Sequence, residues 1–186
     1  MKLSLIIDAL RQRAPSFGGR VAGAAEFQAL GENSRLQLPA AYVVPTSDLP
    51  GEQESKTDYY QMLTENFAVI VALDNRRDPR GQEAIFDAVD SIRNELWRSL
   101  LGWEPTENHY PITYKGGEVL EMDRAVLYYQ FDFSSDIEIQ EADTWQEREL
   151  NELQPLKSVW VDVDYIDPGD GPDGIIEHSS HIPITE

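Results

Sequence analysis

Apolar residues recur along this chain with two spacings, and their alternation sketches the fold. Leu3, Ile6, Ile7 and Leu10 fall at helical intervals, so a first amphipathic helix is predicted over about residues 3–14, stopped by Pro15 and the pair Gly18-Gly19. The sharpest helical stripe comes later. Ile85, Val89, Ile92, Leu96 and Leu100 follow one another at four, three, four and four positions, with Glu83, Asp87, Asn94, Glu95 and Arg98 on the other side. Asp78 is placed to cap that helix, and Pro79 at its first position has no N–H to waste. Gly102 stands where a left-handed C-terminal residue is wanted, and Pro105 prevents resumption. A Schellman ending is predicted, in which Trp103 packs back on the last turn near Trp97 or the stem of Arg98.

The other period is two. In "AVLYYQFDF", Leu127, Tyr129, Phe131 and Phe133 share one face of a strand, and Tyr128, Gln130 and Asp132 share the other. "YQMLTENFAVIVALD", from Tyr60 to Asp74, ends in an unbroken apolar run from Phe67 to Leu73, which suits a strand covered on both faces. "AAYVVP" (Ala40–Pro45) reads as a short strand closed by proline. A strand over Arg20–Ala22 and a short helix over Ala24–Leu30 are weaker signals. Lys115-Gly116-Gly117 reads as a hairpin turn or kink. Gln140–Leu153 suggests a charged helix, and "SVWVDVDYIDP" a late strand at a sheet edge. Between the first strands, "TSDLPGEQESK" (Thr46–Lys56) consists of turn formers and charge, and reads as an exposed arm that orders only on assembly. About three helices interrupt five or six strands. The fold class is α/β in the α+β sense: a mixed, largely antiparallel sheet with helices packed on it.

Composition narrows the function. With 186 residues and 41% hydrophobic content the chain can form a core without staples. It has no cysteine, which removes disulfides, thiolate catalysis and thiolate metal sites together and fits a reducing compartment. The opening MKLSLIIDAL reads as a helix and not as a leader, and no apolar run reaches the ~20 residues of a membrane span. The formal charge is −19, which works against gripping phosphates. It is also uneven. Residues 1–133 hold 13 basic and 20 acidic groups, whereas 134–186 hold two basic and 14 acidic ones. The expected organisation is therefore a body over 1–135 and an acidic C-terminal extension over 136–186 with a late strand.

Candidate chemistry is sparse. Asp167, Asp170 and Asp173 in "DPGDGPDG" could offer oxygen ligands to calcium, but the spacing is not that of an EF-hand, and a solubilising turn accounts for them. His178 and His181 would need further ligands to hold zinc. Phosphate loops, dinucleotide fingerprints, nucleophile elbows and H-E-x-x-H are all missing, so no catalytic, cofactor or metal residue is assigned. Arg76-Arg77-Asp78-Pro79-Arg80 is the one basic cluster: a helix-entry loop, or a patch for an acidic partner. Four Trp, eight Tyr and six Phe are more than the drawn core uses. Tyr59, Tyr60, Trp103, Tyr110 and Tyr128 fall in loops or on the lesser strand face, where they serve either a larger core or an interface. Tyr59, Tyr60, Arg76, Arg77, Trp103 and Tyr110 are the candidate assembly residues.

"APSFGGRVAGAAEF" (Ala14–Phe27), "FAVIVALDNRRDPRGQ" (Phe67–Gln82), "ELWRSLLGWEP" and "YKGGEVLEMDRAVLYYQFDF" (Tyr114–Phe133), taken in order over about residues 1–135, resemble the phage tail terminator proteins of long-tailed bacteriophages and prophages. The resemblance implies a small α/β fold and a non-enzymatic role. Such proteins assemble as a ring, usually hexameric, on the finished tail tube, end its growth and present a surface to the head. The implied partners are the chain itself as a homo-hexamer, the tail tube protein and a head-completion or neck protein. DNA is expected to pass through without specific binding, and no membrane or cofactor is expected. The place would be the head-proximal end of the virion tail, after synthesis in the host cytoplasm. The alternatives are another neck or tail component, such as a head-completion or tube protein, or an enzyme without a recognisable motif.

Overall fold

In the computed structural model, residues 1–29, 37–76, 83–164, 174, 176 and 178–184 are described. They fall into two units, Met1–Glu141 and Ala142–Glu186. The first is built on a five-stranded sheet of order β1-β2-β3-β5-β4: β1 (Val21–Gly23), β2 (Ala40–Gln53), β3 (Tyr60–Asp74), β4 (Thr113–Met122) and β5 (Val126–Gln140). Only β1 and β2 are parallel; every other pairing is antiparallel. Helices α1 (Leu3–Arg13), α2 (Ala24–Gln28) and α3 (Glu83–Leu100) complete it. The expected mixed, largely antiparallel sheet with helices on it is what the chain forms.

The core lies between one sheet face and the pair α1 and α3. Ile6 and Leu10 from α1 meet the whole predicted stripe of α3, from Ile85 to Leu100. The sheet contributes Val43, Phe67, Val69, Val71, Leu73, Leu127, Phe131 and Phe133. Each such side chain, fully buried, contributes about 1.5–3 kcal/mol. Phe67 and Phe133 stack with ring centres 5.6 Å apart, and Tyr114 leans on Phe133 at 5.5 Å. Polar contacts tie α3 to α1 and to the turn that follows α1. Arg13 Nη1 donates to Ser99 O at 3.1 Å, and the Ser16 amide to Glu95 Oε1 at 2.9 Å. The other sheet face has a smaller cluster of Ala40, Tyr42 and Ile70 under Phe27 of α2. Beyond Phe27, the residues of that face, from Tyr60 to Asn66, are only partly buried.

Three sequence expectations change. Thr46–Lys56 is not a loop as a whole: β2 runs through to Gln53 and pairs with β3 as far as Gln53 opposite Gln61. Its polar residues stay exposed, so pairing and not burial makes the strand, and Pro45 and Pro50 are tolerated in the outer part of β2, beyond its short pairing with β1. Lys115-Gly116-Gly117 lies inside β4, as the kink and not the turn. The register shifts between Tyr114 and Gly116, and the reversal comes at Asp123–Ala125, where the Ala125 and Val126 amides donate to the Asp123 carboxylate. Gly117 is needed for close approach, since a Cβ there would sit 2.8 Å from the Tyr129 ring. Lastly, α3 has no Schellman ending. Gly102 does adopt φ +76, but its amide donates to Ile112 O across the following loop, and the Trp103 amide makes a tight turn to Leu100 O.

The second unit holds a 3-10 turn (Glu141–Asp143), helix α4 (Trp145–Glu152) and a hairpin of β6 (Ser158–Val163) with β7 (His178–Pro183). Thr144 caps α4 by accepting from the Glu147 amide. The sequence signals that foresaw α4 and β6 gave no sign of β7. β5 continues to Gln140, five residues past the boundary that charge suggests. Asp78, Pro79 and the helix end at Leu30 lie outside the described residues, as do Asp167, Asp170 and Asp173.

Candidate assembly surface

Strand alternation fixes which residues meet at the outer end of the sheet. Since Phe67, Val69 and Val71 point to the helices, Tyr60, Met62, Thr64 and Asn66 lie on the opposite face. The β3–β5 register sets Tyr60 opposite Gln140, Met62 opposite Glu138 and Thr64 opposite Asp136. Thr64 Oγ1 donates to Asp136 Oδ1 at 2.6 Å.

Glu138 is the centre of this patch. It accepts from the Tyr110 phenol and from Gln140 Nε2, and those bonds hold its carboxyl below the ordinary range, with a further bond from Tyr60. The same carboxylate raises both phenols. For Tyr110 the hydrogen bond is the main cause; for Tyr60 desolvation leads and the Glu138 charge follows. Leu49, on the same face through its pairing with Thr64, is largely exposed. The patch is therefore aromatic and apolar with acidic groups among it.

Tyr110 reaches Glu138 because its loop is fastened down. Between α3 and β4, the Gly102 amide donates to Ile112 O and the Ile112 amide to Trp103 O, closing the two ends on each other. The Tyr110 amide donates to Asp136 O at 2.8 Å, and Ser135 Oγ donates to Tyr110 O at 2.6 Å. Trp103 packs on the main core with the Arg13 guanidinium 4.6 Å above its ring. Its ring is thus clasped by α1 through Arg13, while its amide is tied to Leu100 O at the end of α3.

The six candidate residues separate. Tyr60 and Tyr110 share Glu138, and Tyr59 stands next to them with its phenol on Gln61 Oε1 at 2.8 Å. Trp103 anchors the loop that carries Tyr110. Arg76 is at the far end of β3, forked onto Asp74 at 2.9 and 2.8 Å. Arg77 lies outside the described residues. Glu138, Glu65 and His109 escaped the sequence reading, because only the β3–β5 register and the fastened loop bring them into place. Tyr128 belongs to the small cluster under Phe27, at 6.2 Å.

Among the described residues no group of three or more His, Asp or Glu is set to hold a metal. His178 and His181 are three positions apart on β7 and so face opposite sides; His181 stacks on Trp160 at 4.3 Å. No described helix is long and apolar enough to cross a membrane.

The family model described as "Phage tail terminator protein" matches residues 1–144. A chain of a solved structure titled "Virion of native gene transfer agent (GTA) particle" is similar at 14% identity with a TM-score of 0.46, covering 74% of this chain and 95% of that one. No curated protein matches.

Proposed function

The chain belongs to the phage tail terminator family, structural proteins of the phage tail and virion, and from that premise we propose that it caps the tail tube as a ring. Six copies close head to tail, stop elongation and present the surface that a head-completion or neck protein joins. A heterologous contact repeated around an axis is sufficient for this; no catalysis is involved.

The observation that carries the proposal is the half of the sheet that is paired yet only partly buried. Residues 46–53 of β2 are exposed and residues 60–66 of β3 are half-buried, although their ladder with β5 is complete. A paired but only partly buried sheet holding Tyr60, Met62, Leu49 and Tyr110 is suited to meeting a neighbouring subunit or the tube end. Charge supports the other part of the role. β2, β3 and β5 contain no Lys or Arg, while Asp132, Asp136 and Glu138 share the partly buried face. Such a surface lets DNA pass without gripping its phosphates.

Deleting the gene and imaging the particles tests the proposal. Headless tails of excessive, uncontrolled length are expected. Normal tails joined to heads would refute it, and polymerisation of the purified chain into long tubes would favour a tube protein instead.

A further inference from the structure

His109 is the one buried residue in the loop between Leu101 and Pro111, and both of its ring nitrogens are engaged. Nδ1 lies 2.6 Å from Thr106 Oγ1, and Nε2 lies 2.8 Å from Oε2 of Glu65 on β3. The Glu65 side chain is 13% exposed, and its other oxygen accepts from the Met1 amino group. Across the ladder, Glu65 faces Asp48 on β2 and Ser135 on β5, so Asp48 is the further charged neighbour. A carboxylate so little exposed is tolerated only while its donors stay in place. Each partner therefore holds the other. Tyr110 follows His109 directly, and its amide, carbonyl and phenol are all bound to β5.

We propose that the Glu65–His109 pair is a latch that fixes the 101–112 loop against β3 and β5 and so sets Tyr110 beside Tyr60. The functional weight of the latch rests on the reading of Tyr60 and Tyr110 as assembly contacts; the latch itself does not. Burial pushes the Glu65 carboxyl up, but bonds and charge from the Met1 amino group and His109 outweigh it and hold the carboxyl below its ordinary range. A depressed value in the folded state means that the contribution is complete above the ordinary carboxylate range and is lost as pH falls through the folded value. The latch is closed at neutral pH and opens in acid.

Native-state hydrogen exchange on the full chain at neutral pH tests this, with the Tyr110 and Ile112 amides as reporters and Val69 and Val71 in β3 as controls. His109→Leu and Glu65→Gln should each speed exchange at the reporters about tenfold or more while the controls hold. His109→Gln, which can still donate to Glu65, should restore part of the protection; mere space-filling would not. In the wild type, protection at Tyr110 should fall in acid, and in Glu65→Gln that fall should be absent. Unchanged reporters, or equal loss at reporters and controls in both variants, would overturn the latch. Tube-end binding by the same variants separates the two ideas. Faster local exchange with wild-type binding keeps the latch and removes Tyr110 from the assembly surface.

Discussion

The two halves of β3 have the same neighbours and the same complete ladder, yet they live in different surroundings. From Phe67 to Leu73 every residue is buried; from Tyr60 to Asn66 every one is only partly so. Backbone hydrogen bonding does not separate them, because β2 and β5 pair with both halves. Helices do. α1 and α3 cover the inner face of the first half and α2 part of its outer face, whereas Met1 and the loop carrying His109 reach the second half at Glu65 and leave it only half-buried. Since burial of apolar surface and not the ladder supplies most of the net stability, the covered half holds the fold.

Substitutions break or sharpen that contrast, beginning with the largest effect. Phe133→Ala, which empties a fully buried site between Phe67 and Tyr114, should cost about 3–5 kcal/mol in urea unfolding. A loss as small as that of a surface change would show that the covered half does not hold the fold. Gly102→Ala should cost about 1–2 kcal/mol, measured as a lower melting temperature. An added Cβ there meets nothing within 4 Å, so left-handed backbone strain is the whole cost. Arg13→Met keeps the aliphatic stem but gives up the contact over Trp103 and the bond to Ser99, for about 1 kcal/mol by thermal unfolding. Tyr60→Ser in the partly buried half should change stability by no more than about 0.5 kcal/mol. It should still abolish capping of purified tube ends, scored by tail length in electron micrographs. A large stability loss there, with capping intact, would reverse the roles of the two halves.

The covered half was the legible one. Its signals are periodicities that survive because burial demands them: the α3 stripe, the Leu127–Phe133 alternation and the apolar run in β3 all stand as read. The partly buried half was obscure for a physical reason. Between Thr46 and Gln53 the chain has Pro, Asp, Gly and Ser, the residues of turns, and only pairing with a strand further along makes it β. Lys115-Gly116-Gly117 left turn and kink both open, because a glycine pair serves a bulge as well as a reversal, and only the β4–β5 register decides for the kink. The candidate tyrosines could be suspected from aromatic excess. Their meeting at Glu138 could not, because Tyr60 is brought to that carboxylate only by a register linking positions far apart in sequence. The same holds for Glu65 and His109.

The strand order also has a consequence in time. β3 emerges from the ribosome with β2 already made, but its other partner, β5, follows only after α3 and β4. At ~5–20 residues per second, the stretch from Asp74 to Val126 takes roughly 3–10 s to synthesise. Throughout that interval the run Phe67–Leu73, rich in β-branched residues, free of charge and free of proline, waits with one edge open. A nascent chain in that condition is prone to join its own kind on a polysome, or to be held by a chaperone. Yield of soluble protein should therefore depend on translation speed and temperature more than the finished fold's stability would suggest.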